Sequence, residues 1–278
     1  MGSTAIRALC LTPVVAFGTT AWAEGSTRHA APSYSASGIV VSTTYQPGPF
    51  APNTIVTVFG SDLAYSVEAA SSLNIVSNLL PTRLARVQVL AMRGQLGTPL
   101  PLHYVSPGQI NFVLPGSAVP GDLDICVVRE GISGPVVRIP LQDVAPALIP
   151  LETGWLTATH ADGALVTPSH TARPGEWVVL YATGLGPTVQ RLRDGEVPGL
   201  QPPSIAGYAI ARLEEFRVLF AGRPLERARI YYAGLTPGVT ALYQVNAQVP
   251  EDAPADPEIR IAIGERSSQE GLKLPLQP

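Results

Sequence analysis

The chain is poor in charge. Asp, Glu, Lys and Arg make up 14% of its 278 residues, against the usual quarter, and the net charge is −3. Lysine is nearly absent: Lys273 stands alone, and no Lys/Arg cluster occurs. That argues against a nucleic-acid partner and against an anionic membrane surface. Cysteine is scarce, with only Cys10 and Cys126. No run after Ala23 is long and apolar enough to span a bilayer. Sustained helical periodicity is also missing. What is plentiful is Gly (26) and Pro (28), set between apolar runs in a chain that is 46% hydrophobic. That mixture excludes a disordered polymer and points to many short strands joined by turns.

The first residues read as an export signal: Arg7, the apolar run Ala8 to Phe17, then Ala21-Trp22-Ala23 as a cleavage site. Leu9 before Cys10 does not suit a lipoprotein signal. Cleavage after Ala23 removes Cys10, so Cys126 has no internal partner and the fold stands on its core. The expected product is secreted, extracellular or held in the cell envelope, starting at Glu24, with residues 24–37 as a flexible leader.

The organising feature is a repeat. Leu102 to Pro115, LHYVSPGQINFVLP, is echoed by Ile230 to Pro250, IYYAGLTPGVTALYQVNAQVP. Gln109, Asn111 and Pro115 recur 135 positions on, as Gln244, Asn246 and Pro250. A second echo joins the opening strands: Phe59 and Leu63 match Tyr181 and Leu185, 122 positions on. Ile55 to Phe59 alternates and is β-branched, as a strand should be. Asp162-Gly163 signals a hairpin. Residues 66–78 and 190–209 carry no readable element. The fold class that follows is all-β: two tandem Ig-like β-sandwiches, residues 38–145 and 146–278.

The words APNTIVTVFGSDLA, LHYVSPGQINFVLP, RPGEWVVLYATGLGP and GLTPGVTALYQVNAQVP lie in order over residues 38–278. In them the chain resembles the Solibacter-type C-terminal domain family of uncharacterised bacterial secreted domains. Each half also resembles the IPT/TIG domains, through the turn Gly60-Ser61-Asp62-Leu63. The resemblance implies an exported β-rich module with no assigned catalytic residues. It departs from that pattern in having no large region between the signal and the module.

Catalytic constellations are not found. No G-x-S-x-G elbow occurs. His160, Asp162 and His170 have metal-ligand chemistry, but Asp162-Gly163 already explains their spacing as a turn. A deep pocket joining the three would reopen an enzymatic reading. Asp122 and Asp124 are too few for calcium. Adjacent Glu214 and Glu215 face opposite ways on a strand. No catalytic residue, metal ligand or cofactor is expected.

Binding is the open question. Tyr181, Tyr231, Tyr232 and Tyr243 are candidates for a sugar-stacking platform, and Trp177 is expected in the core. Gln109, Asn111, Gln244 and Asn246 share a face two residues apart and point away from their own cores. They are expected to bond the backbone of a covering loop or of the neighbouring unit, or else to touch a ligand. No aromatic neighbour is expected to recur beside them. The function that follows is a non-catalytic surface module for adhesion or scaffolding through protein contacts. The alternative is a carbohydrate-binding module of a polysaccharide-degrading system. The partner is then a protein or a cell-surface glycan.

Overall fold

The computed structural model describes residues 30–152, 154–200 and 204–277. The export signal and its cleavage site lie outside the described residues. In the first sandwich the strands are β1 (Ser33–Val41), β2 (Ile55–Ser61), β3 (Glu68–Ala69), β4 (Val87–Arg93), β5 (Leu96–Pro99), β6 (Leu102–Val105), β7 (Gln109–Val113), β8 (Gly121–Arg129) and β9 (Ile132–Leu141). They form one sheet in the order β1-β2-β7-β6-β3 and a second in the order β5-β4-β8-β9. Apolar residues at alternate positions of both sheets meet between them. Val56, Val58, Ile110 and Phe112 come from one, and Val87, Val89, Ile125 and Val127 from the other. Each such side chain contributes roughly 1.5–3 kcal/mol on burial.

The second sandwich opens with short strands, β10 (Ala147–Leu148), β11 (Pro150–Glu152), β12 (Trp155–Leu156) and β13 (Ala158–His160). Then come β14 (Trp177–Thr183), β15 (Phe216–Phe220), β16 (Arg223–Pro224), β17 (Ile230–Leu235), β18 (Tyr243–Gln248), β19 (Ile259–Ile263) and β20 (Arg266–Ser267). One sheet runs β10-β14-β18-β17, with β13 also on β14, and the other runs β16-β15-β19-β20. Its core joins Val178, Leu180, Val245 and Ala247 to Val218, Phe220, Ile259 and Ile261.

The repeat holds at the level of register. Val58 pairs with Ile110, Phe59 with Gln109 and Thr57 with Asn111. In the second copy Leu180 pairs with Val245, Tyr181 with Gln244 and Val179 with Asn246. The same β-bulge follows: the register slips between Leu102 and Tyr104, and again between Ile230 and Tyr232. His103 and Tyr231 are therefore equivalent residues. Cys126 is buried and unpaired.

The leader is shorter than the sequence suggests. Ser33 pairs with Ser61 and Tyr34 with Gly60. The Tyr34 hydroxyl donates to the Pro135 carbonyl at 2.5 Å and accepts from the Val127 amide at 2.8 Å. Strand order begins at Ser33, inside the expected leader, because β1 satisfies the edge of β2. Small polar residues there hide a strand that is attached by its main-chain pairing with β2 and by the one Tyr34 side chain.

Candidate functional site

The Gln-x-Asn pairs do not reach a covering loop. In each sandwich the two amides bond to one another. Gln109 Nε2 donates to Asn111 Oδ1 at 2.9 Å, and Gln244 Nε2 to Asn246 Oδ1 at 3.0 Å. Thr57 Oγ1 also donates to Asn111 Oδ1, at 3.0 Å. Both pairs lie on the outer face of their sheet, opposite Ile110 and Val245, as alternation requires. An aromatic frame recurs with them, contrary to expectation. Directly paired residues share a face. Phe59 and Tyr104 therefore flank the first pair, and Tyr181 and Tyr232 the second. The sequence offset of 122 places Phe59 on Tyr181 and already contained half of this frame.

Next to these matching ladders the two copies part company. In the first sandwich Ile55 pairs with Val113 at the end of the outer face. Leu80, Ala70 and Ile75, from the segment after β3, seal that pair together with Ala241 of the second sandwich. The equivalent pair in the second sandwich is Trp177 and Gln248. Nothing seals it. Trp177 is 39% exposed and Tyr231 81% exposed. Their ring centroids lie 6.3 Å apart with planes at 79°, forming an open aromatic corner. Trp177 is thus a surface residue and not core: Val178 and Leu180 take the inward face, so Trp177 alternates outward.

The amide beside this corner is fixed. Gln248 Nε2 donates to the Gly175 carbonyl at 3.0 Å, and its Oε1 accepts from Arg229 Nη1 at 3.2 Å. Asn246 and Gln244 are half-buried further along the same strand face. Of the four tyrosines singled out from sequence, Tyr231 is the one fully presented. Tyr232 is half-buried, and its hydroxyl donates to the Leu235 carbonyl at 2.8 Å. Tyr181 is buried against Ile149 and Leu242, with its hydroxyl 3.2 Å from Thr159 Oγ1. Tyr243 is 0% exposed and bonds the Gly186 carbonyl, so it leaves the platform and joins the core. Burial pushes all three of these phenols above their ordinary pKa, so they stay neutral donors.

A cavity of about 590 Å³ joins His160, Asp162 and His170, but it is an open depression and not the deep pocket an enzymatic reading required. Its groups are engaged elsewhere. His160 Nδ1 lies 2.5 Å from Glu176 Oε1, and the other Glu176 oxygen accepts from the Arg173 amide at 3.0 Å. The His170 ring lies 4.2 Å from the His160 ring, centroid to centroid. Asp162 Oδ1 accepts from the Ala164 amide at 2.9 Å, the turn role expected of it. Among the described residues no group of three His, Cys, Asp or Glu could hold a metal ion. Among the described residues the His160 ring is bonded to the Glu176 carboxylate and the His170 carbonyl, and no hydroxyl or thiol is bonded to it. Of the acids considered from sequence, Asp124 pairs with Arg138 at 2.8 Å and Glu215 with Arg212. Each arginine holds its partner carboxyl below the ordinary range.

No family model and no curated protein matches the chain. Among solved structures it is similar to a Bacteroides ovatus surface protein, SGBP-B of a mixed-linkage glucan utilisation locus, in complex with a heptasaccharide. Identity is 8% and the TM-score 0.34, over 82% of this chain and 43% of that one. It is similar to the plexin A4 extracellular region at 12% identity and TM-score 0.27, over 95% of this chain and 17% of that one. It is also similar to the Escherichia coli adhesin FdeC, at 12% identity and TM-score 0.23, over 90% and 66%. The chain therefore spans less than half of the first two. Likenesses at this level carry nothing about a ligand.

Proposed function

We propose that the chain is an extracellular, non-catalytic binding module whose contact face is the Trp177–Tyr231 corner of the second sandwich, and that its ligand is a glycan. One observation carries this reading. The repeat supplies an internal control, in which the same surface position is an apolar pair under a cover in one copy and an open Trp, Tyr and Gln group in the other. A large exposed aromatic area costs solubility, and its removal to the surface at one copy alone calls for a partner. The C–H faces of a sugar ring stack on indole and phenol, while a fixed amide beside them meets hydroxyls as donor and acceptor. Arg229 is tied into the corner by its bond to Gln248. The export signal read at Arg7 to Ala23 supports an extracellular setting, and no helix among the described residues is long and apolar enough to cross a membrane.

A protein partner, the other expectation from sequence, would use the same corner, and the test separates the two. In affinity gel electrophoresis against soluble plant, bacterial and animal polysaccharides, at least one polysaccharide retards the wild type. Trp177→Ala and Tyr231→Ala abolish that retardation with the melting temperature held within a degree or two. Retardation by none of them, or retardation that survives both substitutions, refutes the glycan reading.

A further inference from the structure

The first sandwich keeps an aromatic group of its own on the outer face, at the opposite end of the ladder. In the second copy Ile149 and Leu242 seal the Tyr181 end, and the Trp177 end is open. In the first copy the Ile55 end is sealed, and Phe59 at the other end is only half-buried. The register explains the difference. The Ile149 amide donates to the Tyr181 carbonyl, so Ile149 lies across from Tyr181. At the matching place on β1 stands Gly38, where a Cβ would meet the Phe59 carbonyl oxygen at 2.6 Å. No side chain fits there to cover the Phe59 ring. The register also slips between Tyr34 and Ile39. Ser35, Ala36 and Ser37 therefore bulge out across from Phe59, all exposed, with the two serine hydroxyls 2.9 Å apart.

Tyr45 completes the group. Its ring lies against Phe59, with centroids 6.3 Å apart and planes 27° from parallel. A residue that served only as a cover would be buried, yet Tyr45 is 49% exposed. It is also the one aromatic with a positive φ among the described residues, at +57°. A bulky side chain is costly in that left-handed backbone, which asparagine or glycine takes more easily. The turn itself therefore does not ask for tyrosine. What the tyrosine adds is a ring, held nearly parallel to Phe59 and half open to water.

This group has the composition of the Trp177 corner. Each has an aromatic on the strand, a glutamine directly across from it and an exposed tyrosine against its ring. They are Trp177, Gln248 and Tyr231 in one, and Phe59, Gln109 and Tyr45 in the other. In each the glutamine is fixed: Gln109 bonds Asn111, which Thr57 holds in turn. The likeness is not inherited from the repeat. The repeat carries Phe59 onto Tyr181, which is buried, so the same three side-chain types meet at opposite ends of the two ladders. Nearly parallel rings suit the C–H face of a sugar, and the amide with the two serine hydroxyls suits its hydroxyl groups.

We infer that Tyr45, Phe59 and Gln109 form a second, weaker saccharide site on the first sandwich. Its ligand class rests on the glycan reading of the corner; its position does not. Phe59 is half-buried and no indole is present, so the site binds in the millimolar range, too weakly to retard the protein in a gel by itself. Cellohexaose, xylohexaose, mannohexaose, maltohexaose and chitohexaose are titrated to millimolar concentration into ¹⁵N-labelled protein. The Gln109 side-chain amide and the Phe59 main-chain amide report this site, and the Trp177 indole reports the corner. At least one hexaose shifts the first two signals, and does so equally in Trp177→Ala. Tyr45→Asn, which suits the same backbone, weakens that binding about three- to tenfold, the share of one stacked ring. It keeps the melting temperature within about 4 °C. Shifts at Trp177 alone uphold the corner and overturn this inference, and shifts at Gln109 and Phe59 alone do the reverse. Silence at all three overturns this inference and leaves the corner to the gel. The inference also falls if Trp177→Ala removes the Gln109 shift, or if Tyr45→Asn leaves the binding unchanged. A larger fall in the melting temperature of Tyr45→Asn overturns it equally, since Tyr45 would then be a structural cover.

Discussion

His103 and Tyr231 occupy one bulge position in two copies, and their fates differ with their cover. Tyr231 faces solvent. The His103 ring keeps its Nε2 buried without a partner, and burial pushes its pKa down to about 4 from the ordinary 6.5. The native ring is therefore neutral where the unfolded ring begins to take a proton. Its contribution is fully present above about pH 6.5 and is lost as the pH falls from there toward 4, up to roughly 3 kcal/mol. Denaturant midpoints at pH 7 and pH 4.5 should fall apart in the wild type and draw together in His103→Phe. An undiminished gap in the variant would place the acid sensitivity elsewhere. The amide pairs yield a second expectation at this scale. Gln109→Ala with Asn111→Ala strips a buried pair and one of the two partners of the Thr57 hydroxyl, which keeps Ser42 Oγ at 3.0 Å, and should cost roughly 1–3 kcal/mol. Gln244→Ala with Asn246→Ala acts on a half-buried pair that water can still reach, so its midpoint shift should be the smaller of the two. Equal shifts would mean that the ladder bond itself, not its burial, carries the energy.

Elements show what could be read from the sequence and what could not. Strand β2 was legible because Ile55, Val56, Thr57 and Val58 are β-branched and alternate. The Asp162 turn was legible because its aspartate bonds locally. The shared register was legible because Gln-x-Asn recurs at a fixed distance. Cover was not. Alternation assigns Ile55 and Trp177 to the outer face of equivalent strands, but whether that face is sealed depends on a segment far along the chain. Leu80 and Ile75 do this for one copy, and no local pattern announces it. A comparison of the copies would have exposed the site, since Ile55 and Val113 become Trp177 and Gln248 at the two offsets. The strand β1 was missed for a related reason: its attachment is through main-chain pairing and a single tyrosine, Tyr34. The end of β14 offers a test of how tightly these turns are set. Gly184 has φ +72, and a Cβ there would stand 2.0 Å from the Ala145 carbonyl oxygen. The left-handed backbone and the close approach each forbid a side chain. Gly184→Ala should lower stability by at least roughly 1–3 kcal/mol of local strain, read from chemical melts. A loss under about 0.5 kcal/mol, the range of an ordinary surface change, would show that the connection can move aside.

At the scale of the molecule, two separate cores are joined by a thin seam. The large clusters share no residue: one runs from Ile39 to Leu141 and the other from Val144 to Leu276. Between them lie the Asp143 bridges to Arg212 and Arg266, the backbone bonds of Leu80 to Gly195 and Val197 to Asn78, side-chain bonds of Ser117 to Asp194, Asn78 to Val197, Arg193 to Ser77 and Arg266 to Gln142, and one small apolar cluster. In that cluster Ala241, from the second sandwich, meets Ile55, Leu80 and Val113 from the first. The half-exposed ion pairs contribute little individually. The apolar contact is then the part of the seam that couples the two units, and it also closes the cover over Ile55. A charge placed there has no partner and cannot reach water without parting the sandwiches, a penalty of several kcal/mol. Ala241→Asp should leave both cores intact and convert a single calorimetric transition into two. It should also bare the Ile55–Val113 face, raising the binding of a hydrophobic dye before either core melts. The conservative control Ala241→Ser should retain one transition. If Ala241→Asp still melts in one step at a lower temperature, the cores are coupled through the polar bridges, and Asp143→Ala becomes the substitution that splits them.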